Sequence, residues 1–184
     1  NQVKPGLNEE EENISTYEKS IFQERINLEI FKNSENGSKI VANEIAELIR
    51  KKQNVGKKCI LGLATGSSPI SVYKNLIRIH KNEGLSFKNV ITFNLDEYVP
   101  MDPKSNHSYH FFMYENLFNH IDIKNKNIYI PKGNLEGKKI QDYCMSFEKK
   151  IKDYGGIDLQ LLGIGRTGHI GFNEPGALRS SITR

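Results

Sequence analysis

Behind an apolar strand, the run LLGIGRTGHIGFNEPG at 161–176 sets a histidine, an asparagine and a glutamate among five glycines. His169 is the one side chain in it that titrates near neutral pH. Gly163, Gly165, Gly168 and Gly171 let the backbone turn closely around it. A glycine-rich loop with a single histidine is often only structural, and Glu174 is what sets this one apart. Lying five residues on and ahead of Pro175, it can orient the imidazole or stabilise its charged form. The chemistry such a pair performs is proton transfer at the carboxyl end of a strand.

Two other segments offer complementary groups. In LATGSSP at 63–69, Pro69 stands where a first helical residue would be and Ser68 where its cap would be. Thr65, Gly66, Ser67 and Ser68 then present hydroxyls and backbone amides at the positive end of a helix, a cradle for phosphate. No lysine follows the glycine, so this is not a Walker loop. Read alone, the segment is equally a well-capped helix. In TFNLDEYVP at 92–100 two acids emerge at a strand end, where a parallel sheet puts its ligands and where a general base is useful. Successive strand residues point oppositely, so only one of Asp96 and Glu97 should face a substrate. His107 and His110 could share a helical face and ligate a metal. Neither a third ligand nor a HExxH pattern accompanies them, and no metal is expected.

Positioning these groups requires strands that end beside one another. Short apolar runs at 28–31, 58–63, 90–94, 128–130 and 157–162 read as strands. Between them, Ile40, Val41, Ile45, Leu48 and Ile49 share one helical face, with Ser38 as a start signal. Val72, Leu76 and Ile79 form a second apolar stripe, and Ile140, Tyr143, Cys144, Phe147 and Ile151 a third. Such stripes cover a sheet. The alternation predicts an α/β fold, a Rossmann-like doubly wound, mainly parallel sheet with helices on both faces. No strand follows the glycine-rich run, so the domain reads as truncated at its C-terminus. The acidic opening segment, 1–20, is expected to be a flexible extension.

The 184 residues suit one domain, and 37% hydrophobic with 26% charged residues is ordinary for a soluble protein. No apolar run approaches the roughly 20 residues that span a bilayer, and the opening NQVKPGLNEEEEN lacks the basic start and apolar stretch of a secretory signal, so export is not expected. The net charge of +4 comes from scattered lysines without a basic, aromatic-interleaved block. That argues against a nucleic-acid surface and favours a small anionic substrate. Cys59 in a strand and Cys144 in a helix have neither metal-ligand nor disulfide spacing, and read as inert thiols in a reducing cytoplasm.

LGLATGSSP, TFNLDEY, SNHSYHFFMYENLF and GIGRTGHIGFNEPG, in this order and spacing, resemble the glucosamine-6-phosphate deaminase family over about residues 26–184. The resemblance makes residues 21–184 the N-terminal and central part of a sugar-phosphate isomerase/deaminase domain. It implies conversion of glucosamine 6-phosphate and water to fructose 6-phosphate and ammonia, with no metal or organic cofactor. Carried over position by position, the base for the C2 proton falls on Asp96, the ring-opening histidine on His169 and its assisting acid on Glu174. The phosphate loop falls on residues 65–68. An aspartate common in the family two residues before the histidine is Thr167 here, which can hydrogen-bond but carries no charge. Arg184 resembles an arginine used for allosteric activator binding in some members. The expected partners are an amino-sugar phosphate and further copies of the chain, with neither nucleic acid nor membrane. A 6-phosphogluconolactonase-like hydrolase is the alternative, although lactone hydrolysis removes no C2 proton and so gives Asp96 no evident task. A non-catalytic sugar-phosphate sensor is the other, and retention of Asp96, His169 and Glu174 together argues against it.

Overall fold

CILGL and VITFN are buried along their whole length, the pattern of strands covered on both faces. In the computed structural model, which describes residues 19–23, 26–178 and 183, they form β3 (Cys59–Leu63) and β4 (Val90–Asn94), paired in parallel from Cys59↔Val90 to Leu63↔Asn94. β5 (Ile128–Tyr129) extends the sheet beside β4, and β6 (Leu159–Gln160) pairs in parallel with β3. The order β5-β4-β3-β6 places the reversal of winding at β3. A doubly wound sheet opens its ligand crevice at such a point, outside the carboxyl ends of the strands.

Helices cover both faces, because alternate strand residues point to opposite sides. Cys59, Leu61, Leu63 and Val90 share one core with Ala42, Ile45 and Ile49 of α1 (Ser34–Asn54) and Val72, Leu76 and Ile79 of α2 (Ser68–Glu83). Met113 of α3 (Tyr109–Asn116) joins them. On the other side Ile60, Ile91 and Phe93 meet Phe147 of α4 (Lys138–Asp153), backed by Tyr143 and Ile151. Phe93 lies stacked on Tyr129 and edge-on to Phe147. The predicted α/β fold with helices on both faces is therefore present.

Several boundaries differ from expectation. α1 starts at Ser34 rather than near Ser38: Asn33 is the cap, accepting from the Asn36 amide at 2.9 Å. Gly37 hid that first turn from a propensity reading, and the Phe31 ring packs against it. Ser67 occupies the N-cap position of α2, with Ser68 already helical, one residue earlier than expected. The strand expected at 28–31 lies outside the parallel sheet: β2 (Ile26–Ile30) pairs antiparallel with β1 (Lys19–Gln23) as a separate two-stranded unit. Its Leu28 and Ile30 remain exposed. Lys19 and Ser20 thus belong to a strand and not to the extension expected over 1–20, the rest of which lies outside the described residues, as does Arg184. Cys59 and Cys144 are free and buried in β3 and α4, as read from the sequence. Burial pushes the Cys59 thiol up to about 12, which removes its nucleophilic form. Among the described residues no helix is long and apolar enough to cross a membrane.

Candidate active site

The loops after β3, β4 and β6 meet around one cavity of about 630 Å³ at the carboxyl end of the sheet. Thr65, Gly66, Ser67 and Ser68 form one wall, Asp96 another, and His169 and Glu174 the third. Residues scattered over more than a hundred positions of sequence are brought together by strand order. β4 and β6 flank β3, so the three strand ends are neighbours.

The cradle is built by the exit from β3. Gly66 takes φ +103°, a left-handed conformation that a side-chain-bearing residue resists, and the chain then enters α2 at Ser68. The first amides of this 16-residue helix have no preceding carbonyl to bond, and the helix dipole adds positive potential there. Ser67 makes no side-chain capping bond, which leaves its hydroxyl available to an anion. A phosphate is the group this arrangement fits.

β4 ends in two acids with opposite fates. Asp96 faces the cavity. Burial, reinforced by the neighbouring Glu97 charge, pushes its carboxyl up to about 6, against the pull of a hydrogen bond with the Phe172 backbone. Gly171, at φ +58°, has no room for a side chain: a Cβ would stand 2.9 Å from Asp96 Oδ2. Glu97 turns away and accepts from the backbone amides of Tyr98, Tyr109 and His110 at 2.9, 3.1 and 3.1 Å. Of the two adjacent acids, Asp96 is the one that lines the cavity. A carboxylate with its pKa near 6 is poised as a general base near neutrality.

The loop after β6 folds back on itself, with the Gly165 amide donating to the His169 carbonyl at 2.9 Å. The imidazole lies over Gly165, where a Cβ would clash with Cε1, Nε2 and Nδ1 of the ring. Thr167 Oγ1 sits 2.8 Å from His169 Nδ1 and donates to Glu174 Oε2 at 3.0 Å. Glu174 Oε1 is itself 3.3 Å from Nδ1. These contacts settle the tautomer. The hydroxyl has one proton and gives it to the carboxylate, so Nδ1 must carry its own proton towards the threonine oxygen. Nε2 is then the free basic nitrogen. Thr167 thus continues a hydrogen-bonded chain from Glu174 to the imidazole, although it brings no charge.

Three aromatic residues also belong to the cavity and carried no site role from sequence. Tyr98, Tyr109 and Phe172 line it, with ring centroids 5.0 to 5.9 Å apart. Tyr109 bonds Thr65 through its side chain and reaches the Tyr98 hydroxyl at 3.4 Å. For Tyr109 the signal was the helix start in SNHSYHFF: Ser108 caps α3, accepting from the Phe111 amide at 2.9 Å, and so fixes Tyr109 as the first helical residue. The two histidines of that segment do not share a helical face. His107 precedes the helix in a turn, whereas His110 lies in its first turn, stacked on Tyr114. Among the described residues no three of His, Cys, Asp and Glu gather as a metal site would require.

Residues 32–172 match the model of the family described as glucosamine-6-phosphate isomerases/6-phosphogluconolactonase. A glucosamine-6-phosphate deaminase of Borrelia garinii is 52% identical over 148 residues, covering 80% of this chain and 54% of its own length. A solved structure described as a monomeric glucosamine-6-phosphate deaminase superposes with a TM-score of 0.76 at 44% identity, over 81% of this chain and 59% of that one. The 6-phosphogluconolactonase of Plasmodium vivax gives 0.62 at 25% identity, over 77% and 47%. The chain thus spans about half the length of the relatives it matches. Sequence, fold and site geometry agree: the chain belongs to the glucosamine-6-phosphate isomerase/6-phosphogluconolactonase family.

Proposed function

We propose that the full-length natural protein is a glucosamine-6-phosphate deaminase, with its 6-phosphate held by Thr65, Gly66, Ser67 and Ser68. His169 Nε2 moves a proton between the ring oxygen and the C1 hydroxyl, opening the pyranose to an aldehyde. Glu174, through Thr167, stabilises the imidazolium that forms on the way. The aldehyde acidifies the C2 proton, which Asp96 removes. Reprotonation of the resulting enolamine at C1 leaves an imine at C2. Water then converts that imine to the ketone of fructose 6-phosphate and releases ammonia. Atoms and charges balance without a metal or an organic cofactor.

Asp96 carries this reading. It is a desolvated carboxylate near pKa 6, in one cavity with a basic imidazole and a helix N-terminus. Lactone hydrolysis leaves the C2 proton in place, so a base dedicated to C2 has no part in it. The decisive measurement is ammonia release from glucosamine 6-phosphate by the full-length protein. Release is expected, and a protein inert to this substrate but active on 6-phosphogluconolactone would overturn the assignment. The reading extends to a reducing cytoplasm, favoured by the two free, buried cysteines.

A further inference from the structure

Glu97 is bound more tightly than an ordinary surface acid. Its two oxygens take three amide hydrogens, two of them from the first residues of α3. Its stem is gripped from the other side by Gly133, where a Cβ would lie 3.0 Å from Glu97 Cγ and collide with the Tyr98 carbonyl. The Met101 amide, donating to the Gly133 carbonyl at 2.7 Å, locks that turn in place. The acid also lines a second crevice of about 440 Å³ shared with His110 and Lys132. Its neighbour Asp96 lines the other cavity, so the two acids serve opposite sides of the loop after β4.

We propose that Glu97 is a positioning residue of the site: clamped by the start of α3, it holds Tyr109 against Thr65 of the cradle and sets a fixed negative charge next to Asp96. The inference rests on Asp96 being the base. Among the described residues, the titratable groups near Asp96 are Glu97, next to it in sequence, and those that line its cavity: Tyr98, Tyr109 at the start of α3, and His169 and Glu174 on the loop after β6. Of these, Glu97 is the charge that raises the Asp96 carboxyl, second only to burial. Removing it lowers the Asp96 pKa, and the base then stays deprotonated, though weaker, to lower pH.

The test is deuterium incorporation at C2 of glucosamine 6-phosphate in D2O, followed against pH at subsaturating substrate in the full-length protein. The substrate phosphate titrates in the same range, near pH 6, but identically for every variant, so differences between variants report the enzyme. Glu97→Gln should move the midpoint of the acid limb roughly one pH unit lower. Glu97→Asp keeps the charge but withdraws from the amides. It should retain the wild-type midpoint while KM rises, because Tyr109 and Thr65 lose register. A Glu97→Gln midpoint equal to wild type overturns the inference while leaving the deaminase reading intact. A midpoint that falls equally in Glu97→Asp assigns the effect to lost packing and overturns it too. If Glu97→Gln fails to fold by circular dichroism, the Glu97→Asp profile decides. A wild-type protein that exchanges no C2 proton overturns the deaminase reading and this inference together.

Discussion

Asp96 is kept in a place that costs the fold. Its carboxyl, ordinarily near 3.8, is pushed up to about 6, chiefly by burial. The unfolded chain gives up this proton near pH 4 and the folded chain only near pH 6. Native stability therefore falls as pH rises between those values, and the loss persists above pH 6. Asp96→Asn removes the penalty. Unfolding in urea at pH 8 should show the variant more stable by about 1 kcal/mol, a figure reduced for the solvent that still reaches the carboxyl. At pH 4 the gain should vanish, and C2 proton exchange should be abolished at every pH. Thr167 makes a different bargain, transmitting a hydrogen bond without charge. Thr167→Val keeps the shape and removes the hydroxyl link between Glu174 and His169, leaving only their direct 3.3 Å contact. Turnover of the closed sugar should drop roughly tenfold to a hundredfold. Affinity for the reduced open-chain amino-alditol phosphate should stay unchanged, and equal losses in both would count against a ring-opening role.

At the scale of elements, each site group depends on how a strand hands the chain on to the next segment. β3 passes into α2 through the left-handed Gly66, and this aims the helix N-terminus into the cavity. β4 ends in a pair of acids, of which one serves the cavity and the other α3. The loop after β6 is the most exposed of the three, and the imidazole keeps its place by lying over Gly165. Gly165→Ala should therefore displace His169 and reduce ammonia release by more than tenfold, as misplacement of a catalytic group does. Its urea midpoint should move little, since Gly165 lies outside both apolar cores. A fully active alanine variant would show that the imidazole works from another position.

For the molecule as a whole, two cores of unequal size flank one sheet. The larger joins α1, α2 and α3, whereas the smaller depends on Phe93 and α4. Phe93 is 2% exposed and touches Tyr129, Phe147 and Tyr154. Phe93→Ala should cost about 3–5 kcal/mol in chemical denaturation, with hydrogen exchange in α4 rising before that in α1. Far less destabilisation would mean that α4 repacks over the gap. Self-association, expected from the family resemblance, stays a proposal. A relative at 44% identity is described as monomeric, and sedimentation of the full-length protein tests the point directly.

The sequence by itself determined the parts and their chemistry. Apolar runs of five residues, stripes at helical spacing and glycine clusters are local signals, and they located β3, β4, α2, α4 and the three loops. Asp96, His169, Glu174 and residues 65–68 were legible as candidates because each lies in a loop that follows a strand. Tertiary structure alone decided which of the adjacent acids faces the cavity, because that depends on what lies on either side of the sheet. It alone set Tyr109 against Thr65, 44 residues away in sequence, and turned Thr167 into a relay between His169 and Glu174. It also removed 26–30 from the parallel sheet, since a short strand records its β-propensity in sequence but not its partner. Residue type and spacing reveal which groups can react. Burial, charge neighbours and hydrogen-bond partners come from long-range packing, and these set the pKa of Asp96 and the free nitrogen of His169.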